Sequence, residues 1–383
     1  MGLLQAHKAV TPRIAALMAK SVNFTNAQVG HLDAHTAVGH MAIGTGAFPR
    51  KSSVIGNTFF TMEKSAGKQI LRKDEIYAVR DETKVTTEEL KSETLGDVLN
   101  QVNAGKSIVV AQSYALRAAI GMGGHGSLGL KEYAKAVTGN NLIYWLDAAN
   151  SKWVTDTRYY SLPHVAAASD VMLSYTKNYP AGFEGYTIRD TRAAFENWGV
   201  MMSTPAETQL EGELIRAVIR EEIIQKKKHN DGFTDLVYVS FKSADAVGHH
   251  FGYHSLEARD TLAAIDKEIG ALEDFLTREY GDRFVLVLTA DHGCAPLSEI
   301  TGGARLTVEE VIAAIDTLLP PEIAANESLV HFMTVGQVSL NHNLMNKHRI
   351  SIEAIRDKIM AMKPENRSFF RNILTRKDLG LDG

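Results

Sequence analysis

The chain has 383 residues, 45% of them apolar and 22% charged, a balance that supports a packed core and excludes disordered and collagen-like architectures. Its 41 basic and 45 acidic side chains leave a formal charge of −4, so the charge gives no reason to expect nucleic acid or an anionic membrane as a partner. The single cysteine, Cys294, excludes an intramolecular disulfide and a cysteine-based zinc cluster. A metal centre would have to be built from histidine, carboxylate and hydroxyl groups.

The opening residues, MGLLQAHKAVTPR, lack the charged and apolar regions of a signal peptide, and Ala6 stands where a myristoylation motif needs Ser or Thr. No apolar run approaches the roughly 18 residues of a spanning helix, so no membrane span is expected. The small residues of HTAVGHMAIGTGAFPRKSSVIGN, 35–57, predict a short helix beginning near Val38. Thr36 then lies at or just before the helix N-terminus, where free N–H groups and the dipole favour an anion such as phosphate. Its hydroxyl becomes a competent nucleophile only when a metal or a base removes the proton. His35 and His40 flank it, as structural histidines or as supports of the site.

Apolar, β-branched runs predict strands at 107–112, 141–146, 235–241 and 284–289. A helix is expected over 207–228, with the triplet Lys226-Lys227-Lys228 as its solvated basic end. Leu256, Leu262, Ile265, Ile269, Leu272 and Leu276 mark the buried face of another helix, with Ser255 as N-cap. Strand, helix and strand between 235 and 289 predict a right-handed crossover, and the whole alternation predicts an α/β protein with a mostly parallel sheet.

Asp245 and His249 follow the third of these strands, and Asp291 and His292 follow the fourth. Ligands of open α/β sheets sit at the carboxyl ends of strands, so the two Asp/His pairs are expected to converge on one crevice. Such a set suits one or two divalent metals, with imidazole favouring zinc. His250 and His254 read as loop residues, and Trp145, Trp153, Tyr159 and Tyr160 either line the pocket or pack it. From Gly302 the pattern changes: Thr307 with Glu310 reads as a capping box, Pro320-Pro321 stops that helix, a strand spans 336–341, and another helix starts at Ser351.

Together, TPRIAALMAKSVNFTNA, AHTAVGH, GTGAFP, IGN, SADAVGHHFGYHS and TADHG resemble the type I phosphodiesterase/nucleotide pyrophosphatase branch of the alkaline phosphatase superfamily, over most of 11–296. The resemblance implies an alkaline-phosphatase-like α/β core over 1–301, a cap insertion around 145–205 and an inserted α+β subdomain over 302–383. It also implies hydrolysis of a small phosphate ester, a nucleotide or phosphodiester, with two divalent metals, zinc before others. Carried over by position, Thr36 matches the nucleophile that forms a phosphothreonine intermediate, and Asn57 matches a donor to a phosphoryl oxygen. Asp245 and His249 match ligands of one metal; Asp291 and His292, with Thr36, match ligands of the other.

Arg117 stands where monoesterases of the family carry the arginine of a Lys-x-Arg pair, but the lysine position is Ala115. One cation fewer weakens the hold on a dianionic monoester most, which tilts the expectation towards diesters. Residues 1–10 contain no carboxylate where the family has a metal-binding Asp, and no His-Gly segment follows before Gly383. The chain therefore reads as a member lacking both ends, with Asp33 the nearest acid able to compensate; His331, His342 and His348 fall in the inserted subdomain. A fold without competent metal sites is the alternative from another class. A minor third reading is a dinucleotide-binding oxidoreductase, because GMGGHG at 121–126 fits G-x-G-x-x-G with Asp147 about 20 residues on.

Overall fold

Six consecutive buried residues make Ile108–Ser113 (β1) the inner strand of a four-stranded sheet, since a strand covered on both faces has no polar side to alternate. It pairs in parallel with Asn140–Asp147 (β2) and with Leu236–Ser240 (β4), while Lys152–Val154 (β3) adds to β2 antiparallel, giving the order β3-β2-β1-β4. The expected mostly parallel α/β sheet is thus present, in a computed structural model that describes residues 8–59, 62–65, 68–71, 76–77, 79, 85–128, 140–171, 202–334, 336–363, 369–375 and 377–378. Much of the expected cap region, 172–201, lies outside the described residues.

Successive β1 side chains point to opposite faces, and each face carries its own helices. Ile108 and Val110 pack with Leu214, Ile215 and Phe275, which come from helices Pro205–Val218 (α5) and Leu256–Tyr280 (α7). Ala111 and Ile143 pack with Met41 and Ala118 on the other side, from helices Thr36–Thr45 (α2) and Leu116–Gly123 (α4). Helix Pro12–Ala19 (α1) joins a smaller cluster in which Ile14 meets Leu262 and Ile265 of α7. Tyr144, fully buried, donates to Gln112 Oε1 at 2.7 Å, and Gln112 Nε2 donates to the Glu211 carbonyl at 2.7 Å. This chain of bonds satisfies the polar groups that the packed sheet would otherwise strand.

Chain segments divide into two compact units, one of residues 1–61 and 72–295, the other of 62–71 and 296–383. In the second, Val330–Met333 (β5) and Val338–Leu340 (β6) pair antiparallel, beside helices Val308–Asp316 (α8), His342–His348 (α9) and Ile352–Met360 (α10). Its core gathers Ile315, Leu329, Leu344 and Ile359. The Thr307–Glu310 capping box is present in both directions. Among the described residues no helix is long and apolar enough to cross a membrane.

Three expectations need correction. Residues 283–290 form no ladder, and Val285 is 89% exposed. A period-two apolar pattern gives a segment the capacity to pair, but a strand needs a neighbour, and β4 is paired only with β1 among the described residues. The expected crossover therefore stops at the end of α7, which does begin at the predicted N-cap, Ser255, its Oγ accepting from Ala258 N at 3.0 Å. The helix expected over 207–228 changes at Ile219 into a π-helix to Gln225, and Lys227 at φ 57° ends the run.

The third correction removes the dinucleotide reading. Gly121 and Gly123 end helix α4 instead of preceding a helix. A Cβ on Gly121 would sit 3.1 Å from Met41 Cγ, and one on Gly123 3.1 Å from Ala111 Cβ. These glycines let α4 press against α2 and the sheet, which leaves no phosphate-cradling loop. Within the same stretch His125 is buried: Nε2 meets the Leu90 carbonyl at 2.8 Å and Nδ1 meets Asp97 Oδ2 at 2.8 Å. Both partners only accept, so both ring nitrogens carry hydrogen and the ring is an imidazolium. Burial opposes that charge, but the bond and charge of Asp97 outweigh it and raise the pKa above 6.5. Because the folded value is raised, this stabilisation is complete below about pH 6.5 and is lost as pH climbs through the folded value. His125→Gln should cost about 3 kcal/mol at pH 6 and less at pH 9, read by denaturant unfolding at the two values.

Candidate active site

Thr36 is the first residue of α2, and its side chain is almost fully buried. The preceding His35 gives no side-chain cap. Asn57 fills that role from a distance, its Oδ1 accepting from Ala37 N at 2.8 Å. This fixes the carboxamide with its oxygen on the helix end, so the amino group remains the donor end. Thr36 and Asn57, far apart in sequence, therefore meet at one helix N-terminus, Asn57 bonding the residue after Thr36.

His40 ties this helix to the Asp/His pairs. Its Nδ1 donates to the Thr36 carbonyl at 2.9 Å and lies 3.1 Å from Asp291 Oδ2, and its Nε2 lies 3.2 Å from Ser240 Oγ at the end of β4. Gly39 makes the approach possible, because a Cβ there would fall 2.7 Å from Asp291 Cβ and 2.8 Å from its carbonyl carbon. Burial acts to raise the Asp291 carboxyl, but the hydrogen bond and charge of His40 and the charge of His292 outweigh it, so its pKa is lowered and it is ionised. Gly39→Ala should force α2 and Asp291 apart and cost about 1–3 kcal/mol of stability, read by denaturant unfolding.

Helix Ser243–Phe251 (α6) begins directly after β4 and presents Asp245 and His249 one turn apart. His249 Nε2 lies 3.5 Å from Asp245 Oδ1, and His292 Nε2 lies 3.7 Å from the same oxygen and 3.3 Å from Asp291 Oδ2. The two pairs therefore converge although no strand precedes the second. His292 Nδ1 donates to the Gly293 carbonyl at 2.9 Å, which orients Nε2 towards two carboxylates. Two ligands of one tetrahedral zinc at 2.0–2.1 Å are about 3.4 Å apart, so these separations fit a shared divalent cation pair by pair. Among the described residues no three such groups are yet gathered closely enough to hold an ion together, and His249 is 75% exposed.

Other residues complete the electrostatics. Lys242 forms an ion pair with Asp245 Oδ2, and His35 forms one with buried Asp33. Burial lowers the pKa of His31, opposed by the charge of Asp33 and assisted by that of His292, which places all three in one field. Arg117 is the second residue of α4; its Nε is buried without a hydrogen-bond partner among the described residues, and burial lowers its pKa. His250 Nδ1 contacts Ser203 Oγ at 2.7 Å and the Ala246 carbonyl at 3.0 Å, a structural role. Lys242 was absent from the sequence expectation, although its i,i+3 spacing to Asp245 on a helix start is a readable signal.

Helices on both faces of a mostly parallel sheet, with Asp/His groups gathered near its carboxyl edge beside a helix N-terminus, define an alkaline-phosphatase-like protein. The chain belongs to the type I phosphodiesterase/nucleotide pyrophosphatase family, whose model matches residues 1–379. It is similar to alkaline phosphatase PhoV of Synechococcus elongatus, 29% identical over 67% of this chain and 50% of the relative. It is also similar to alkaline phosphatase PafA of Elizabethkingia meningoseptica, 23% identical over 88% of this chain and 66% of the relative. The chain spans about half to two thirds of the length of these relatives. The crystal structure of wild-type PafA shares the fold, with a TM-score of 0.74 at 19% identity, covering 94% of this chain and 73% of that one.

Proposed function

We propose that the chain hydrolyses phosphoric esters through Thr36. The observation that carries this reading is the convergence of Asp245, His249, Asp291 and His292, linked through His40 to the helix that begins at Thr36. Asp245 and His249 would hold one divalent cation and Thr36, Asp291 and His292 a second, zinc suiting imidazole with carboxylate. When bound, the cations would supply the positive charge that acidifies the threonine hydroxyl and offsets charge on the phosphoryl oxygens.

The chain's own groups do the rest. Thr36 Oγ forms the new bond to phosphorus as the ester's leaving oxygen departs, giving a phosphothreonine that water hydrolyses in a second step. The helix N-terminus, the Asn57 amino group and Arg117 face the non-bridging oxygens. With Ala115 in place of a second cation, a singly charged diester is favoured over a dianionic monoester. The test is zinc content of the purified chain with turnover of bis-p-nitrophenyl phosphate and p-nitrophenyl phosphate on the same sample. Near two zinc per chain with faster diester turnover is expected. Zinc-free protein that stays inactive on adding zinc would show a fold without a competent centre.

A further inference from the structure

Two glutamates of α5, Glu207 and Glu211, are fully buried one helical turn apart, behind the segments that carry the site. Both carboxylate oxygens of Glu207 and Oε2 of Glu211 lack a hydrogen-bond partner among the described residues. Glu211 Oε1 accepts from the backbone amide of Tyr114 at 3.2 Å, directly after β1. The backbone amide of Lys242, directly after β4, also favours its ionised form. The next residue, Ser243, bonds Thr208 of the same helix through its hydroxyl. One side chain of α5 thus lies between the segment that leads to Arg117 and the segment that leads to Asp245.

Two ionised carboxylates cannot share such a site without a counter-charge. Among the described residues the charged groups around them are few. Tyr114, with Arg117 beyond it, faces Glu207 from the β1–α4 junction, and Lys242 faces Glu211 while its own amine pairs with Asp245. On the α7 side Arg216 is already paired with Glu268 at 2.6 Å. His250 of α6 is held by Ser203, and His164 with Glu221 lies beyond the far end of α5. None of these cations makes a bond to the three open oxygens.

We propose that Glu207 and Glu211 keep at least one proton on the pair, and that in this form Glu211 is a positioning residue, fixing the segments that carry Arg117 and Asp245. This role rests on the proposed metal-dependent hydrolysis; the retained proton does not. Burial pushes the Glu207 carboxyl up to about 8, and burial with the charge of Glu207 holds that of Glu211 well above the carboxylate range. The folded chain therefore keeps a proton that the unfolded chain releases from about pH 4.5 upward, and stability falls as pH rises from there to about 8.

The test uses the full chain and two readouts, thermal unfolding from pH 5 to pH 9 and zinc titration calorimetry. Glu207→Gln, isosteric and neutral, should flatten the fall in melting temperature between pH 5 and 8 relative to the unmodified chain, the His125 contribution being common to both. An unchanged slope would overturn the retained proton. Glu211→Ala should weaken zinc binding about tenfold, and Glu211→Gln, which keeps an acceptor for Tyr114, should restore most of it. Zinc binding by Glu211→Ala equal to that of the unmodified chain would overturn the positioning role. If Glu211→Ala does not fold, Glu211→Gln decides: a zinc affinity close to the unmodified chain's with a flattened pH slope supports the proposal, and a full pH slope overturns it. No zinc binding by the unmodified chain would overturn the metal centre and the positioning role together, while the thermal arm still decides on the proton.

Discussion

Replacing Thr36 by alanine is expected to lower phosphoester turnover by at least about 10³-fold, the scale on which loss of a nucleophile acts, while the cation proposed at Asp245 and His249, which Thr36 does not touch, is retained. The separation of the two readouts follows from the geometry. His40 and Asn57 hold this corner through main-chain groups, the Thr36 carbonyl and the Ala37 amide. A shorter side chain at position 36 leaves both bonds in place. Asp291 and His292 also keep their mutual contact and that with His40. Mass spectrometry of acid-quenched turnover mixtures should show an added phosphoryl group at Thr36 in the unmodified chain and none in Thr36→Ala. Turnover retained by the variant would remove Thr36 from the mechanism.

The second large effect is expected at Asp245. Its two oxygens meet Lys242, His249 and His292, so it is the acidic centre on which three potentially cationic groups converge. Asp245→Ala removes that charge and leaves them facing one another, whereas Asp245→Asn keeps the shape without the charge. Loss of a mere supporting partner costs 10- to 100-fold in metal affinity, so loss of a direct ligand should cost at least about 10²-fold. Both variants should lose at least one zinc by elemental analysis, and turnover should fall with it. Full zinc content in Asp245→Asn would mean that Lys242 is the true partner of Asp245 and that the ligand assignment fails.

Particular elements show how far the chain could be read before its structure. Helix α7 and its Ser255 cap were legible because an N-cap and a 3.6-residue apolar repeat are local features. Strands β1, β2 and β4 were legible because short β-branched runs bounded by polar residues have few other uses. The segment 283–290 carries the same pattern and forms no ladder, because pairing depends on a neighbour that no local pattern specifies. GMGGHG fits a nucleotide loop only as a weak pattern; the contacts of Gly121 with Met41 and of Gly123 with Ala111 decide for packing.

The site divides along the same line. Residue type, order and spacing pointed to the two Asp/His pairs and to the threonine at a helix start, because each reflects the chemistry of metal or anion binding, whereas Asn57 came only from the family resemblance. Only the tertiary structure decided that His40 joins Thr36 to Asp291, that Lys242 occupies one face of Asp245, and that Glu207 and Glu211 lie buried instead of on a wet helix face. The physical reason is one of scale. Helix and strand patterns arise from neighbours within a few residues, whereas burial, charge pairing and proton affinity depend on groups that the fold brings together from opposite parts of the chain.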